Sequence, residues 1–256
     1  MLDLDPAAVR ATQKVETQRP DSGEAYAFYL QGRGYLARHD KIDNVEEAIQ
    51  LFHRALGDDF EYALAYAGLG EAYRRKYAIQ RDGPWMNQAL QNAANALERG
   101  DDLPQVHTTL GLVHLNTGRT DEATADFLRA LELDSRNIGA LIGLGESYER
   151  AGAEDLAEET FRKTIALRPN LWTNYKQLGL FYHLQGRYKD AIKKYNHILD
   201  LAPDSAHAHV NLGAFSCFLG DYEAAERHWR RAVEFDPNRP SGHTNLGKVL
   251  FDQGKS

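Results

Sequence analysis

Hydrophobic positions recur along the chain with the spacing of an α-helix. Within residues 172–205, one apolar stripe follows an i, i+3, i+4, i+7 pattern, which places its members on a single helix face: Tyr175, Leu178, Gly179 and Tyr182. A second stripe has the same helical spacing: Tyr188, Ala191, Tyr195, Ile198 and Leu201. Gly186 separates the stripes and Pro203 follows the second, and both residue types are common at helix ends. The pattern predicts two helices joined by a tight turn.

The same pattern repeats every 34 residues. One glycine column has this period: Gly111, Gly145, Gly179, Gly213 and Gly247. A second glycine column lies seven residues later: Gly118, Gly152, Gly186, Gly220 and Gly254. Alanines and aromatic residues keep the same period: Ala123, Ala157, Ala191, Ala225, Phe127, Phe161, Tyr195 and Trp229. Several independent columns with one period identify a repeat protein, in which each repeat is one helical hairpin.

The small residues of the repeat have a predicted packing role. Gly179 and Ala191 have little or no side chain, so the two helices of a hairpin can approach closely. Tyr182 and Tyr195 then fill the space beside them. The glycine of the second column, represented by Gly186, is expected to adopt the left-handed conformation that ends the first helix.

These columns, read in order as a large residue, Leu-Gly, an aromatic residue, Ala, an aromatic residue, Ala and Pro, resemble the tetratricopeptide repeat. The resemblance implies an all-α fold, an α-α superhelix or solenoid of about six helix-turn-helix repeats plus one extra helix. Residues 1–24 are expected to form an N-terminal linker or helix, and residues 25–256 the solenoid. The expected repeats are 25–62, 63–103, 104–137, 138–171, 172–205 and 206–239, followed by a half-repeat at 240–256.

The first two repeats are longer than the others, with about four extra residues around 39–44 and seven within 78–85. Segments 25–36, 48–52 and 62–69 are similar to the repeat region of bacterial serine/threonine protein kinases and related signalling proteins. That resemblance implies that residues 1–23 are the tail of a linker from an N-terminal catalytic or membrane-spanning part. Because the pattern stops after the first helix of a seventh repeat, we expect the chain to be a fragment of a larger bacterial protein.

Composition narrows the class of protein. The 256 residues include 30 Lys and Arg against 37 Asp and Glu, a formal charge of −7, which argues against a nucleic-acid partner. No apolar run approaches the roughly 18 residues of a membrane span, so no membrane partner is predicted for this fragment. The single cysteine, Cys217, excludes an internal disulfide. A cytoplasmic location is expected, with a membrane anchor elsewhere in the parent protein left open.

No catalytic or cofactor-binding motif is found, so the chain is predicted not to be an enzyme and to need no cofactor or metal. His107, His209 and His243 occupy the fourth position of their repeats, which favours packing over metal binding. Acidic pairs such as residues 121–122 and 158–159 lie near the starts of second helices, where carboxylates interact favourably with the helix dipole. Residues 171–256 carry a charge of +2, and their basic side chains on second helices favour a solvated outer face over a phosphate site.

The resemblance places a concave groove on the first helices, lined by residues about two, five, nine and twelve into each repeat. The candidate peptide-groove residues are Leu112, Leu115, Ile142, Glu146, Glu149, Lys176, Leu180, His183, Val210, Asn211 and Phe218, and the same positions include Glu71, Arg74 and Phe251. Some members of the family bind a C-terminal carboxylate with a clamp of Lys, Asn and Arg side chains. Lys176 and Asn211 match two positions of this clamp, but Leu180 stands where asparagine is needed and Ser241 where lysine is needed, so we reject that specificity.

Three hypotheses follow from this groove. The first is a scaffold that binds a peptide or helix of a protein partner. The second is self-association into a homodimer or larger oligomer through the half-repeat or the insertion near Trp85. The third, an enzyme domain, is disfavoured because no nucleophile, base or metal can be assembled. A groove that serves only inter-repeat packing, without a ligand, also stays open.

Overall fold

A computed structural model describes residues 22–38 and 41–252. Within these residues the structure contains thirteen α-helices and no strand, which confirms the predicted all-α repeat fold. The chain divides into two compact units, Met1–Gly152 and Ala153–Ser256, and each is described by itself. Most of the predicted linker, residues 1–21, and Gly254 of the second glycine column lie outside the described residues.

The described residues of the first unit form seven helices: α1 (Gly23–Leu36), α2 (Ile42–Asp58), α3 (Ala63–Gln80), α4 (Gly83–Arg99), α5 (Pro104–Asn116), α6 (Thr120–Leu133) and α7 (Ile138–Arg150). Consecutive helices pack as the hairpins α1–α2, α3–α4 and α5–α6. The first helices α1, α3, α5 and α7 also pack side by side, which brings equivalent positions of successive repeats onto one face.

Up to residue 252, where the description ends, the second unit has six helices: α8 (Glu154–Leu167), α9 (Trp172–Leu184), α10 (Tyr188–Leu201), α11 (Ala206–Phe218), α12 (Tyr222–Phe235) and α13 (Pro240–Asp252). Its hairpins are α9–α10 and α11–α12, and α13 packs against α12. The first helices of the regular repeats are 13 residues long and the second helices 14 residues long.

The turn within each regular hairpin depends on a glycine. Gly186 has φ +69°, and its equivalent Gly118 has φ +79°, as predicted for a left-handed helix end. In the turn at Gly186, the Arg187 N–H donates to the carbonyl of Tyr182 at 2.8 Å. This bond satisfies one of the free carbonyls at the end of α9.

The extra residues of the second repeat lengthen its helices. Helix α3 has 18 residues and α4 has 17, and they are joined through Arg81, which is left-handed at φ +57°. Trp85 on α4 stacks on Tyr73 of α3, with ring centroids 5.9 Å apart and an interplanar angle of 7°. The Lys76 ammonium lies 4.0 Å from the centre of the Trp85 ring. The insertion near Trp85 is therefore packed within its own hairpin.

In the hairpins α1–α2, α5–α6, α9–α10 and α11–α12, an aromatic ring of the second helix is seated on a glycine of the first. Tyr195 is fully buried against Gly179, and Trp229 packs on Gly213 while its Nε1–H donates to the carbonyl of Val210 at 3.0 Å. The predicted roles of Gly179 and Tyr195 are confirmed. Because only glycine leaves room for the ring, the Leu-Gly and aromatic columns must share one period.

Candidate functional site

A cavity of about 350 Å³ lies in the first unit, among the first helices of the first four repeats. We call it the N-terminal cavity. Its lining includes, from α3 and α5, the side chains at positions two, five and nine of each repeat: Leu64, Ala67, Glu71, Gln105, Thr108 and Leu112. Neighbouring helices superpose these positions because each repeat places its first helix in the same register.

The first repeat contributes Tyr29, Arg33 and Leu36 to this cavity, and none of them was among the predicted groove residues. The signal was present in the sequence, because counting from Ala25 places these residues at positions five, nine and twelve. The remaining contributor with a charged side chain, Arg75, follows position twelve of the second repeat by one residue. Because the first two repeats carry extra residues, their corresponding positions are not 34 residues apart, and the period alone did not reveal that they are equivalent.

The polar part of the N-terminal cavity is centred on Glu71. Its carboxylate accepts hydrogen bonds from Arg74, at 2.7 Å to Nε and 2.9 Å to Nη2, and from Nε of Arg75 at 2.5 Å. Burial alone would raise the pKa of Glu71, but the charges and hydrogen bonds of Arg74 and Arg75 lower it to about 2. Glu71 is therefore ionised at neutral pH, and both of its oxygens are engaged.

Some of the predicted groove residues of the first unit line this cavity and others do not. Leu112 lines the N-terminal cavity, but the assignment of Leu115 to the groove is wrong. The Leu115 side chain is 1% exposed and belongs to a buried cluster with Phe127 and Leu144, so no ligand can reach it. Its position twelve faces the core because the aromatic ring of the following helix packs there.

Ile142, Glu146 and Glu149 are half-buried on α7, and the lining of the N-terminal cavity does not include them. Burial and the nearby charge of Glu146 raise the pKa of Glu149, whereas Arg150 opposes the shift. Glu146 in turn interacts with the charge of Arg74 on α3, so both carboxylates have a cation nearby. Their part in binding a ligand stays a prediction.

In the second unit, an aromatic cluster gathers around His183 at the end of α9. Its ring centroid lies 5.1 Å from that of Phe215 and 5.5 Å from that of Phe218. Tyr188 stacks on Phe218 with centroids 4.8 Å apart and an interplanar angle of 6°. The structure thus brings together two predicted groove residues, His183 and Phe218, and adds Tyr188 from α10.

A second cavity, of about 190 Å³, adjoins this cluster, and we call it the C-terminal cavity. It is lined by Phe218, Cys217 and Ala214 of α11, Trp229 of α12 and residues of α13. Large apolar side chains remain exposed on the first helices of this unit: Leu184 is 68% exposed, Phe218 60% and Phe251 78%. Exposed apolar surface of this kind is typical of interaction sites.

The other predicted residues of the second unit are half-buried: Lys176, Leu180, Val210 and Asn211. The Asn211 amide donates to the carbonyl of His207 on its own helix at 2.9 Å. The Lys176 ammonium lies 5.9 Å from the centre of the Trp172 ring. These contacts give Lys176 and Asn211 local partners on their own helices.

The acidic residue Glu158 is the centre of an ion-pair network and is not simply solvated at a helix start. It accepts hydrogen bonds from Tyr182 at 2.9 Å, from Arg162 at 2.6 Å and from Arg187 at 2.5 Å. Burial opposes ionisation, but the hydrogen bonds from Arg187, Arg162 and Tyr182 lower the pKa of Glu158 overall. The network links α8, α9 and the start of α10.

The fourth-position histidines bond to the preceding turn. His107 and His209 are buried, and Nε2 of His107 lies 2.7 Å from the carbonyl oxygen of Asp101. His243 is exposed but makes the equivalent contact with Pro237 at 2.8 Å. Within residues 22–38 and 41–252, no group of three or more His, Cys, Asp or Glu side chains could hold a metal ion.

Helical hairpins stacked with a 34-residue period define the class of protein, an all-α repeat protein of the solenoid type. Family models identify the repeat. Models described as tetratricopeptide repeat match residues 108–171 and 175–207, and a model described as TPR repeat matches residues 218–254. The chain is therefore built from tetratricopeptide repeats. In the part that the structure describes, no helix is long and apolar enough to cross a membrane.

Several known proteins are similar to this chain in sequence or in fold. The chain is 25% identical to Superkiller protein 3 of Schizosaccharomyces pombe over 185 residues, which is 72% of this chain and 13% of that protein. The fold resembles PilW, a type IV pilus biogenesis factor, with a TM-score of 0.69 at 19% identity over 90% of this chain and 99% of PilW. It also resembles the APC/C hetero-tetramer Cut9-Hcn1, with a TM-score of 0.66 at 18% identity over 96% of this chain and 46% of that chain.

Proposed function

We propose that this chain is a non-catalytic scaffold that binds a peptide or helix of a protein partner through the faces of its first helices. The observation that carries the proposal is the exposure of large apolar side chains on the first helices of the second unit, Leu184, Phe218 and Phe251, of which Phe218 lines the C-terminal cavity. Burying such side chains stabilises a complex by about 25 cal/mol for each Å² of apolar surface removed from water. The assembly of Cut9 with Hcn1 provides a precedent on the same fold.

Two substitutions test this surface. Leu180→Glu combined with Phe218→Glu places two carboxylates beside the aromatic cluster, and we expect loss of partner capture from the proteins of the source cell. Leu156→Glu is the matched control, because Leu156 is 48% exposed on the second helix α8 of the same unit. Circular dichroism must report the same helicity for all variants. Equal capture by the double variant and the control would refute binding at this surface.

Self-association is the second candidate function, and Phe251 favours it. This side chain is 78% exposed on α13, where a second copy of the chain can cover it. We expect Phe251→Glu to lower the fraction of dimer in sedimentation velocity. A wild-type chain that stays monomeric at high micromolar concentration would eliminate this candidate.

The biological setting is proposed from the sequence. The similarity of residues 25–36, 48–52 and 62–69 to the repeat regions of bacterial kinases supports a place in a larger, cytoplasmic signalling protein. The formal charge of −7 supports a protein partner over a nucleic acid. The sequence of the complete gene tests this setting, and a parent protein without any signalling domain would contradict it.

A further inference from the structure

The N-terminal cavity differs in charge from the unit that contains it. Residues 1–152, which form this unit, include 16 basic and 24 acidic residues, a formal charge of −8. Arg33 and Arg75 nevertheless line the cavity, and Arg74 pairs with Glu71, which is the single carboxylate among the lining residues. Three guanidinium groups and one carboxylate leave a local excess of about two positive charges, which Glu146 partly offsets through its interaction with Arg74.

The single carboxylate in the lining is already used. Glu71 bonds Arg74 through both oxygens and shares one of them with Nε of Arg75. Arg75 lines the cavity and donates to Glu71 through Nε, and among the described residues no hydrogen bond engages its two terminal nitrogens. Arg33 donates from Nη1 to the Tyr29 hydroxyl at 3.1 Å, and no carboxylate among the described residues lies within ion-pair distance of it. Both guanidinium groups can therefore bind an additional anion.

The rest of the wall combines apolar side chains with the hydrogen-bonded polar groups of Thr108, Thr109 and Asn137, and it contains one buried acceptor without a partner. Leu36, Leu64 and Leu112 line the cavity together with the ring of Tyr29. The side-chain oxygen of Gln105 is buried there and has no hydrogen-bond partner among the described residues. A buried polar atom without a partner is unfavourable by about 1–3 kcal/mol, and a backbone N–H of a bound segment would satisfy it.

We propose that the N-terminal cavity binds an extended segment of a partner protein that carries an acidic side chain next to an aliphatic one. The carboxylate pairs with Arg33 and Arg75, the aliphatic side chain packs on Leu64 and Leu112, and a main-chain N–H donates to Gln105. A volume of about 350 Å³ accommodates a few side chains. This volume holds less than one turn of an α-helix, which is about 10 Å across with its side chains, so we place an extended segment there.

This inference rests on the proposed scaffold function and adds the chemistry of one ligand. The experiment is selection from a display library of random heptapeptides flanked by Gly-Ser linkers, which present no free carboxyl terminus. We expect wild-type protein to enrich peptides with Asp or Glu adjacent to Leu, Ile or Val. A selected peptide should bind about tenfold more weakly when its acidic residue is replaced by the corresponding amide.

Arg33→Gln and Arg75→Gln should each reduce the affinity of the selected peptide several-fold and remove the preference for its carboxylate over its amide. Arg129→Gln is the matched control, since it changes the net charge equally on α6, where Arg129 pairs with exposed Glu132 outside the cavity. Because Arg33 is exposed, its variant tests binding with little effect on folding even if Arg75→Gln disturbs Glu71.

Three results would overturn the inference: enrichment of neutral or basic peptides, no enrichment at all, or equal affinity of the three arginine variants. Tighter binding of a single-stranded RNA oligonucleotide than of any selected peptide, lost on Arg33→Gln, would assign the cavity to phosphate. If the second unit still captures its partner through Phe218 in any of these cases, the proposed scaffold function stands and only the acidic-segment ligand is rejected.

Discussion

The ring of Tyr195 lies directly on Gly179, so that a Cβ added to this glycine would stand 2.7 Å from the ring carbon Cε2. Real side chains do not approach so closely, and the ring is fully buried. The same relationship joins Gly111 to Phe127 in the first unit, at 2.6 Å. The glycine column and the aromatic column therefore depend on each other, because the ring occupies the space that a side chain on the glycine would need.

We predict that Gly179→Ala destabilises the second unit by about 1–3 kcal/mol, because the buried ring of Tyr195 must move. Gly34→Ala is the control, since Gly34 lies within α1 and a Cβ there meets no atom within 4 Å. Replacing such a glycine by alanine stabilises a helix by about 0.5–1 kcal/mol. Urea denaturation followed by circular dichroism should move the two midpoints in opposite directions, and equal shifts would contradict the packing argument.

The turn glycines make a second prediction, which depends on backbone conformation. Gly186→Ala forces an L-residue to hold φ +69°, which costs about 1–2 kcal/mol even though a Cβ there would meet open space. Gly57→Ala provides the comparison, because Gly57 is equally open but helical in α2. Thermal unfolding should lower the Tm for Gly186→Ala only. A Tm unchanged by both substitutions would show that the turn tolerates other conformations.

The regular repeats could be predicted from sequence because their packing is local. In the regular repeats each aromatic residue follows its glycine by 16 residues, and this constant spacing predicts the contact between Gly179 and Tyr195. The groove was harder to predict, because the direction of a side chain at position twelve depends on its neighbours. Leu115 has the same repeat position as Leu36 and both side chains are buried in the core, yet only Leu36 also borders the N-terminal cavity.

The charges of the N-terminal cavity could not be predicted from the repeat pattern. Arg33 and Arg75 are 42 residues apart and come from the two irregular repeats, where extra residues shift the register. Only the stacking of α1 on α3 brings them to one cavity. The sequence also could not show that the extra residues lengthen α3 to Gln80. A longer helix and a longer loop change the spacing of the following repeats in the same way.

Removing the charge of Glu71 gives a third prediction. Glu71→Gln leaves Arg74 without its bidentate partner, and we expect a loss of about 1–3 kcal/mol in the stability of the first unit at pH 7. The pKa of Glu71 is about 2 in the folded chain against an ordinary value of 4.5, so its contribution is complete above pH 4.5 and is lost as the pH falls towards 2. The urea midpoints of wild type and variant should therefore converge across that range. Glu132→Gln on the exposed surface of α6 should show a small difference at every pH.

The last prediction concerns a pair of histidines that hold α11 against α12. Nδ1 of His209 lies 3.0 Å from Nδ1 of His228, so one of these nitrogens donates and the other accepts. A hydrogen bond from His209 to the carbonyl of Pro203 requires its proton on Nε2, which makes His209 the acceptor and His228 the donor. Protonation of His209 would place a proton on its Nδ1. The N–H groups of the two histidines would then point at each other, and the hydrogen bond between them would be lost. Burial lowers the pKa of both residues, and His209 and Arg227 help to lower that of His228 to about 4.

Other charges face this pair, Arg231 and Glu234 near His209 and Asp221 near His228, and the two acidic groups only partly oppose the shift. The unfolded chain binds protons at about pH 6.5 and the folded pair does not, so stability falls as the pH decreases from 6.5 towards 4. After allowance for solvent at the partly exposed His228, we expect a loss of about 1 kcal/mol in the second unit. His228→Asn keeps a donor but does not titrate, and should flatten this dependence in urea titrations at pH 7, 5.5 and 4.5. His197→Asn, at an exposed histidine on α10, should retain the wild-type slope, and an equal slope in all three proteins would disprove the role of the pair.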